Sequence, residues 1–478
     1  MRLALSLATA AVLACSAPAT AGTIKSLTHQ SPGGVIVTML MTDGTVMAQA
    51  GNAQDWYKLT PDNKGSYING TWTKVASFPS GYAPYANAES VLADGRLVFA
   101  GGEYNNFDFS FFNRSMIYDP IANKWTEITP DKHLLPFIGD SPSNVLPDGR
   151  FLVAEKFKKS MFAFDPKTMT WSELASTNKH DFNAEEGLAM LADGSFLVVD
   201  VKAHPKSERY IPSTGEWVNA GSTVVDLRGP QNCCGNCIPY GPKGKCYDPP
   251  GETGASVLRP DGTVFATGSA PDGQNMGHTA IYNPKRNKWT AGPDFPAGDD
   301  AFDEPASILP SGNVMVSASS GYVYEFDGKT MTRQTCCGGQ SLTVLPTGEV
   351  LIDGSAVYQA TGTYNPAWAP TVTSSPATVT RGQTYQIGGT QFNGVSQGAS
   401  FGDEFDSHTN YPLVRITNNS TGHVFYARTH DHSTMAVQTG STPVSTSFDV
   451  PSGMETGASK LEVVANGIPS TAVSVTVN

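Results

Sequence analysis

The sequence predicts an all-β chain: a seven-bladed β-propeller over residues 22–370, followed by an immunoglobulin-like β-sandwich over 371–478. Three observations lead there. Glycine and proline are abundant, 48 and 33 of 478 residues, only 15% of residues are charged, and no long stretch carries a helical apolar period. One hairpin signature recurs seven times. After Pro370 that signature stops, and Ser/Thr/Val-rich alternation replaces it.

Each recurrence is an apolar segment, a two-residue turn and a second apolar segment, as in "ESVLADGRLVFAGG" and "ASVLRPDGTVFATG". The turns are Asp43-Gly44, Asp94-Gly95, Asp148-Gly149, Asp193-Gly194, Asp261-Gly262, Ser311-Gly312 and Thr347-Gly348. In four units an aromatic residue precedes a tryptophan by seven positions: Tyr118 and Trp125, Phe164 and Trp171, Tyr210 and Trp217, Tyr282 and Trp289. A Pro-containing turn between them predicts two outer strands that bring these rings together. A unit of roughly 36 to 68 residues with four short strands is a propeller blade. Seven turns therefore predict seven blades, with a strand from Gly22 to about Pro32 closing the last. The units resemble kelch repeats, although the Gly-Gly pair usual there follows the hairpin only at Gly101-Gly102. Beyond Pro370, "PTVTSSPATVTRGQTYQIGGTQF" and "LEVVANGIPSTAVSVTVN" suit a cysteine-free immunoglobulin-like sandwich.

Arg2, the apolar run Leu3–Cys15 and the small-residue Ala19-Thr20-Ala21 predict a signal peptide over residues 1–21. The run is too short to span a membrane, and no later stretch approaches spanning length. The expected location is extracellular or periplasmic; "VLAC" at Cys15 leaves lipoprotein anchoring as the alternative. Export and an even count predict disulfides among Cys233, Cys234, Cys237, Cys246, Cys336 and Cys337, with connectivity open. The rival reading of "CCGNC…KGKC" is a thiolate zinc site. A net charge of −12 argues against nucleic acid or anionic membrane as partner. The expected state is a monomer.

A signal peptide, a seven-bladed kelch-type propeller and a C-terminal immunoglobulin-like (early set) domain together resemble galactose oxidase and glyoxal oxidase, over nearly the whole mature chain. The resemblance implies a loop from the C-terminal domain entering the propeller channel with a Thr-His that ligates copper. Thr429-His430 in "RTHDHS" matches that element. It also implies a Tyr-His pair before the inner strand of the last blade, where this chain has Gly338-Gly339 and no Tyr-His dipeptide anywhere. Tyr82 and Tyr85 stand near the family's cross-linked tyrosine, but no lone cysteine accompanies them. The copper-radical set is thus largely missing, and a copper oxidoreductase is kept as an alternative function.

Just upstream of four inner strands stand Asp140, Glu185-Glu186, Glu252 and Asp303-Glu304, each group seven to nine residues before its turn. That placement predicts one acidic rim at the channel mouth, against the plainer reading of scattered solvated carboxylates. Clustered acids repel, so a divalent cation (calcium, zinc or copper), a polyhydroxylated or cationic ligand, or a protonated member must relieve them. Asp140, Glu185, Glu186, Glu252 and Asp303 are the expected catalytic carboxylates, and Tyr85, Glu304 and Asp431 are expected in binding. His430 and His432 are expected to reach the rim as partners or metal ligands. The plainer reading of "THDH" is a polar turn. His408 and His423 read as surface or packing residues. The expected function is binding or processing an extracellular carbohydrate or other small polar ligand, with paired carboxylates available for glycosidic acid–base chemistry. An adhesin or matrix protein is the remaining alternative.

Overall fold

The computed structural model describes residues 22–229, 251–269, 276–334, 338–403 and 406–478. The expected leader and all six expected disulfide cysteines lie outside them. The described residues form β-strands, with two short 3-10 turns at Pro296–Gly298 and Pro366–Trp368. None of their helices is long and apolar enough to cross a membrane.

Residues 23–359 fold into seven four-stranded antiparallel sheets, and one small three-stranded sheet beside the second of them. Their first strands are Thr38–Leu40, Ala88–Val91, Ser143–Val145, Ala189–Met190, Ser256–Leu258, Ala306–Ile308 and Leu342–Val344. Each is buried throughout, whereas fourth strands such as Thr71–Lys74 are mostly exposed. The seventh sheet takes its fourth strand from the other end of the chain: Thr23–Ser26 pairs antiparallel with Ala356–Gln359. First strands of successive sheets lie side by side, and Thr38 Oγ1 lies 2.7 Å from both Ser341 Oγ and Thr343 Oγ1 of the seventh. Many small sheets in such a ring are consistent with a β-propeller.

The hairpins explain the glycines and correct the turn length. Gly95 N–H donates to Leu92 O and Leu92 N–H to Arg96 O, so the loop has three residues, not two. It is a type I turn closed by a left-handed residue. All seven turn glycines have φ between 74° and 92°, a region that costs a residue with a side chain. The Asp before the glycine accepts the N–H two residues on, at 3.0 Å for Asp94 to Arg96. The four aromatic–Trp pairs face each other across the third and fourth strands. Their ring centroids lie 5.0–5.3 Å apart.

Strand direction gives the ring two faces. First strands begin at one face, the mouth, and end at the Asp-Gly hairpins on the other. Residues 371–478 form a nine-strand set around Ile387, Val414, Ile416, Phe448 and Leu461. Its loops meet the hairpin face: Thr429 N–H donates to Thr42 O, His432 N–H to Ala93 O and Met435 N–H to Pro147 O.

One segment of this set leaves it. Every described residue from 392 to 412 is buried, and the segment runs through the ring. Tyr411 hydroxyl donates to Leu40 O and Ser407 hydroxyl to Ala306 O. Gln397 Oε1 accepts Met190 N–H at 2.8 Å, and Ala399–Ser400 adds a strand to the inner edge of Ser256–Leu258. The first strands expose unpaired backbone groups to the channel, and this segment satisfies part of them.

Candidate functional site

The second strand of each sheet returns to the mouth, so residues after it meet residues before the first strand. In the third sheet this brings Lys156, just beyond Phe151–Ala154, to Asp140: Lys156 Nζ lies 2.5 Å from Asp140 Oδ1 and 3.4 Å from Glu185 Oε2 of the neighbouring sheet. A parallel bridge sets Glu185 beside Glu252. The tip of the threaded segment completes the group, because carboxylate oxygens of Glu185, Asp303 and Asp403 all lie within 4.8 Å of one another. Asp303 holds a left-handed backbone, φ 55°, as residues at ligand sites often do. Four of the sequence-expected acids, Asp140, Glu185, Glu252 and Asp303, are therefore gathered.

Their electrostatics follow from burial and crowding. Burial, Asp140, Glu252 and Asp303 push Glu103 up to about 8, against the opposing pull of Lys156. Burial and then Glu252 and Asp140 hold Glu185 well above the carboxylate range. Glu304 is pushed up to about 8 by burial and by Asp303, Asp300 and Asp299. Burial works against charge on Lys156, but Asp140, Glu185 and Glu103 override it and hold its pKa above the ordinary value.

These shifts make the protein prefer mild acid. Glu103 and Glu304 bind protons more tightly folded than unfolded. Their contribution is full below the ordinary carboxylate range and is lost as pH rises through about 8. We expect the melting temperature to fall by roughly 5 °C from pH 5.5 to 8.5. Scanning fluorimetry in a chelating buffer checks this; a flat or rising profile contradicts it.

Two sequence expectations require correction. Glu186 faces away from the mouth, into a buried group with Lys179, Asp181, Asp200 and Glu208, because neighbouring residues of an extended chain point to opposite sides. His430 and His432 do not reach the acids. They lie at the hairpin face, where His430 Nδ1 is 2.8 Å from Asp431 Oδ2 and Nε2 is 3.2 Å from Asp449 Oδ1. His432 Nδ1 meets Thr446 Oγ1 at 2.8 Å, and burial lowers its pKa to about 3. Among the described residues no group of three potential ligands forms around them. Asp431 is an exposed partner of His430 beside a cavity of about 450 Å³ that His432, Arg96 and Arg150 also line. His408 is a packing residue inside the ring, its Nε2 2.6 Å from Gln397 Nε2, with its pKa lowered to about 3 by burial. His423 pairs with Glu455 near the surface, as expected.

Asp403, Glu103 and Lys156 were not anticipated. The signal for Asp403 was a run of about twenty residues, "FNGVSQGASFGDEFDSHTNYP", too long and irregular for a sandwich connection. Tyr85 joins a chain of rings at the mouth. It lies 5.7 Å from Tyr104 and 6.1 Å from Phe107, Tyr104 lies 5.7 Å from Phe109, and Phe109 lies 4.9 Å from Phe111. Phe111 in turn lies beneath Lys156 Nζ at 5.7 Å. Tyr82 is fully buried beside Phe78 and Phe112.

Glu185, Asp303 and Asp403 offer three carboxylate oxygens and no imidazole or thiolate. Such a set fits calcium or magnesium and does not fit copper, which takes nitrogen donors. At the seventh sheet, Gly339 leaves no room for a side chain, since a Cβ there would lie 2.3 Å from the Asp353 carboxylate.

No family model matches the chain, and no curated protein matches it. Among solved structures it is similar to a fungal alcohol oxidase of the AA5 family in complex with copper, at 14% identity and TM-score 0.44, covering 94% of this chain and 85% of that one. It is also similar to streptogramin B lyase, at 11% identity and TM-score 0.48, over 71% of this chain and 98% of that one. YCF48 bound to D1 peptide matches at 10% identity and TM-score 0.45, over 72% and 97%. Likeness at this level assigns no activity.

Proposed function

We propose that the chain is a secreted seven-bladed propeller, residues 22–370, with an immunoglobulin-like domain, residues 371–478, and that it binds an extracellular carbohydrate at the acidic mouth. The observation that carries this reading is convergence: carboxylates from separate sheets and Asp403 from the threaded segment surround one point, beside a row of aromatic rings. Carboxylates accept sugar hydroxyls and rings stack on sugar faces. Oxygens within 4.8 Å are closer than the roughly 6.5–9.5 Å of an inverting glycosidase pair, so the group does not fit that water-flanked geometry. A calcium-sized cation held by Glu185, Asp303 and Asp403 would screen their repulsion.

Calorimetry against neutral, acidic and amine-bearing oligosaccharides, with and without calcium chloride, tests this. At least one class should bind the wild-type protein, and Glu185→Gln with Asp403→Asn should weaken it by about tenfold or more. Absence of any saccharide binding at millimolar concentration defeats the reading.

A further inference from the structure

The strand that closes the ring buries little apolar surface. In Thr23–Ser26, Thr23, Lys25 and Ser26 are exposed and Ile24 is half-buried, and the ladder to Ala356–Gln359 has four residue pairs. Such a strand opens locally at low cost unless its ends are fastened. Leu27 fastens one end: it is buried, and its N–H donates to Ser355 O at 2.8 Å. Gly22 fastens the other.

Gly22 is buried, and its N–H donates to Gln334 Oε1 at 3.1 Å. Gln334 Nε2 donates to Thr332 O at 3.2 Å, which turns the side-chain oxygen toward Gly22. The Gly22 N–H also lies against the Tyr358 hydroxyl oxygen. That hydroxyl donates to Glu325 Oε1, so its lone pairs are left to Gly22, and Asn313 Nδ2 donates to Glu325 Oε2 at 3.0 Å. One amide hydrogen therefore faces two acceptors, with the buried Glu325 carboxylate directly behind one of them. An ammonium in its place has a hydrogen for each acceptor and a charge that Glu325 complements. No side chain fits here, because a Cβ on Gly22 would collide with the Tyr358 ring and hydroxyl. This glycine is also the residue that follows the small-residue cleavage signal Ala19-Thr20-Ala21.

We infer that hydrolysis of the Ala21–Gly22 peptide bond during export frees an α-ammonium that docks among Gln334, Tyr358 and Glu325 and fastens the closing strand of the ring. Water adds across the amide: its oxygen bonds to the Ala21 carbonyl carbon, the C–N bond breaks, and the protons pass to nitrogen. Ala21 leaves as a carboxylate and Gly22 begins the mature chain as an ammonium. The inference goes beyond carbohydrate binding and rests on the secreted reading above. The pocket stands at the hairpin-face end of the seventh sheet, since Tyr358 lies opposite Val350, two residues past the Gly348 turn, away from the acids of the mouth. Lipoprotein processing at Cys15 would leave Gly22 N an amide and the contact unmade.

Amino-terminal sequencing of protein exported by a bacterium that expresses the full-length chain should begin at Gly22. Hydrogen exchange read by mass spectrometry then compares the chain starting at Gly22 with the same chain extended by Ala21. Exchange in Thr23–Ser26 and Ala356–Gln359 should be about tenfold or more faster in the extended chain. In Glu325→Gln that ratio should fall to about threefold or less, because the ammonium loses its charged partner. An unchanged ratio would mean that the bulk of the added residue opens the strand, and equal exchange in the two chains would mean that the ammonium fastens nothing. Either result overturns the inference, as does a first residue other than Gly22, and all three leave export and carbohydrate binding standing. Absence of export defeats the secreted reading and the inference with it.

Discussion

Replacing Lys156 by methionine lowers folding stability by about 3–5 kcal/mol at pH 8. Lys156 is buried against Asp140 and Glu185, and its ammonium is the charge that makes their burial tolerable. Removing it leaves both carboxylates buried without their ammonium. The loss should shrink as pH falls, because burial and then Glu252 and Asp140 hold the Glu185 pKa well above the usual carboxylate range and so favour its neutral form. Asp140→Asn added to Lys156→Met should restore more than half of the loss, since it removes the stranded charge along with its partner. Urea unfolding across that fall in pH measures all three quantities. A pH-independent loss would mean that Lys156 acts through the packing of its methylene stem on Phe111 and Phe157 instead of through charge.

Gly402→Ala should be the second largest effect. A Cβ there would meet Glu186 N at 2.8 Å, Asp140 O at 3.1 Å and Glu185 Cα at 3.1 Å, all of them backbone atoms that cannot turn aside. The tip of the threaded segment must lift, carrying Asp403 away from Glu185 and Asp303. We expect about 1–3 kcal/mol of destabilisation, and ligand or calcium affinity weakened by about tenfold or more. Gly453→Ala, where nothing lies within 4 Å of the added carbon, is the control and should match the wild type. Retention of full binding by Gly402→Ala would show that Asp403 is not part of the site.

Most of the fold was readable along the chain because it depends on local chemistry. Alternating apolar residues flanking an Asp-Gly pair dictate a hairpin wherever they occur, and the aromatic–Trp interval dictates the register of the outer strands. The closing strand Thr23–Ser26 was foreseeable because a ring of sheets needs its first and last edges joined. The turn length was misjudged by one residue, since sequence shows the glycine but not the hydrogen bond that defines the loop.

The site divides in the same way. Asp140, Glu185, Glu252 and Asp303 were placed correctly because strand direction alone carries residues before a first strand to the mouth. His430 was misplaced by sound physics with the wrong partner. A polar tip does need company, but Asp431 and Asp449 supply it locally on the hairpin face. Nor could the sequence tell which stretch of residues 371–478 enters the channel. That depends on which segment can hydrogen-bond the bare inner edges of the first strands, and Gln397, Ala399 and Ser400 do so. Sequence by itself determined the strands, their order and the face on which the acids stand. Tertiary structure decided that Asp403, Glu103 and Lys156 join them, because charges from distant parts of the chain meet only once the ring has closed.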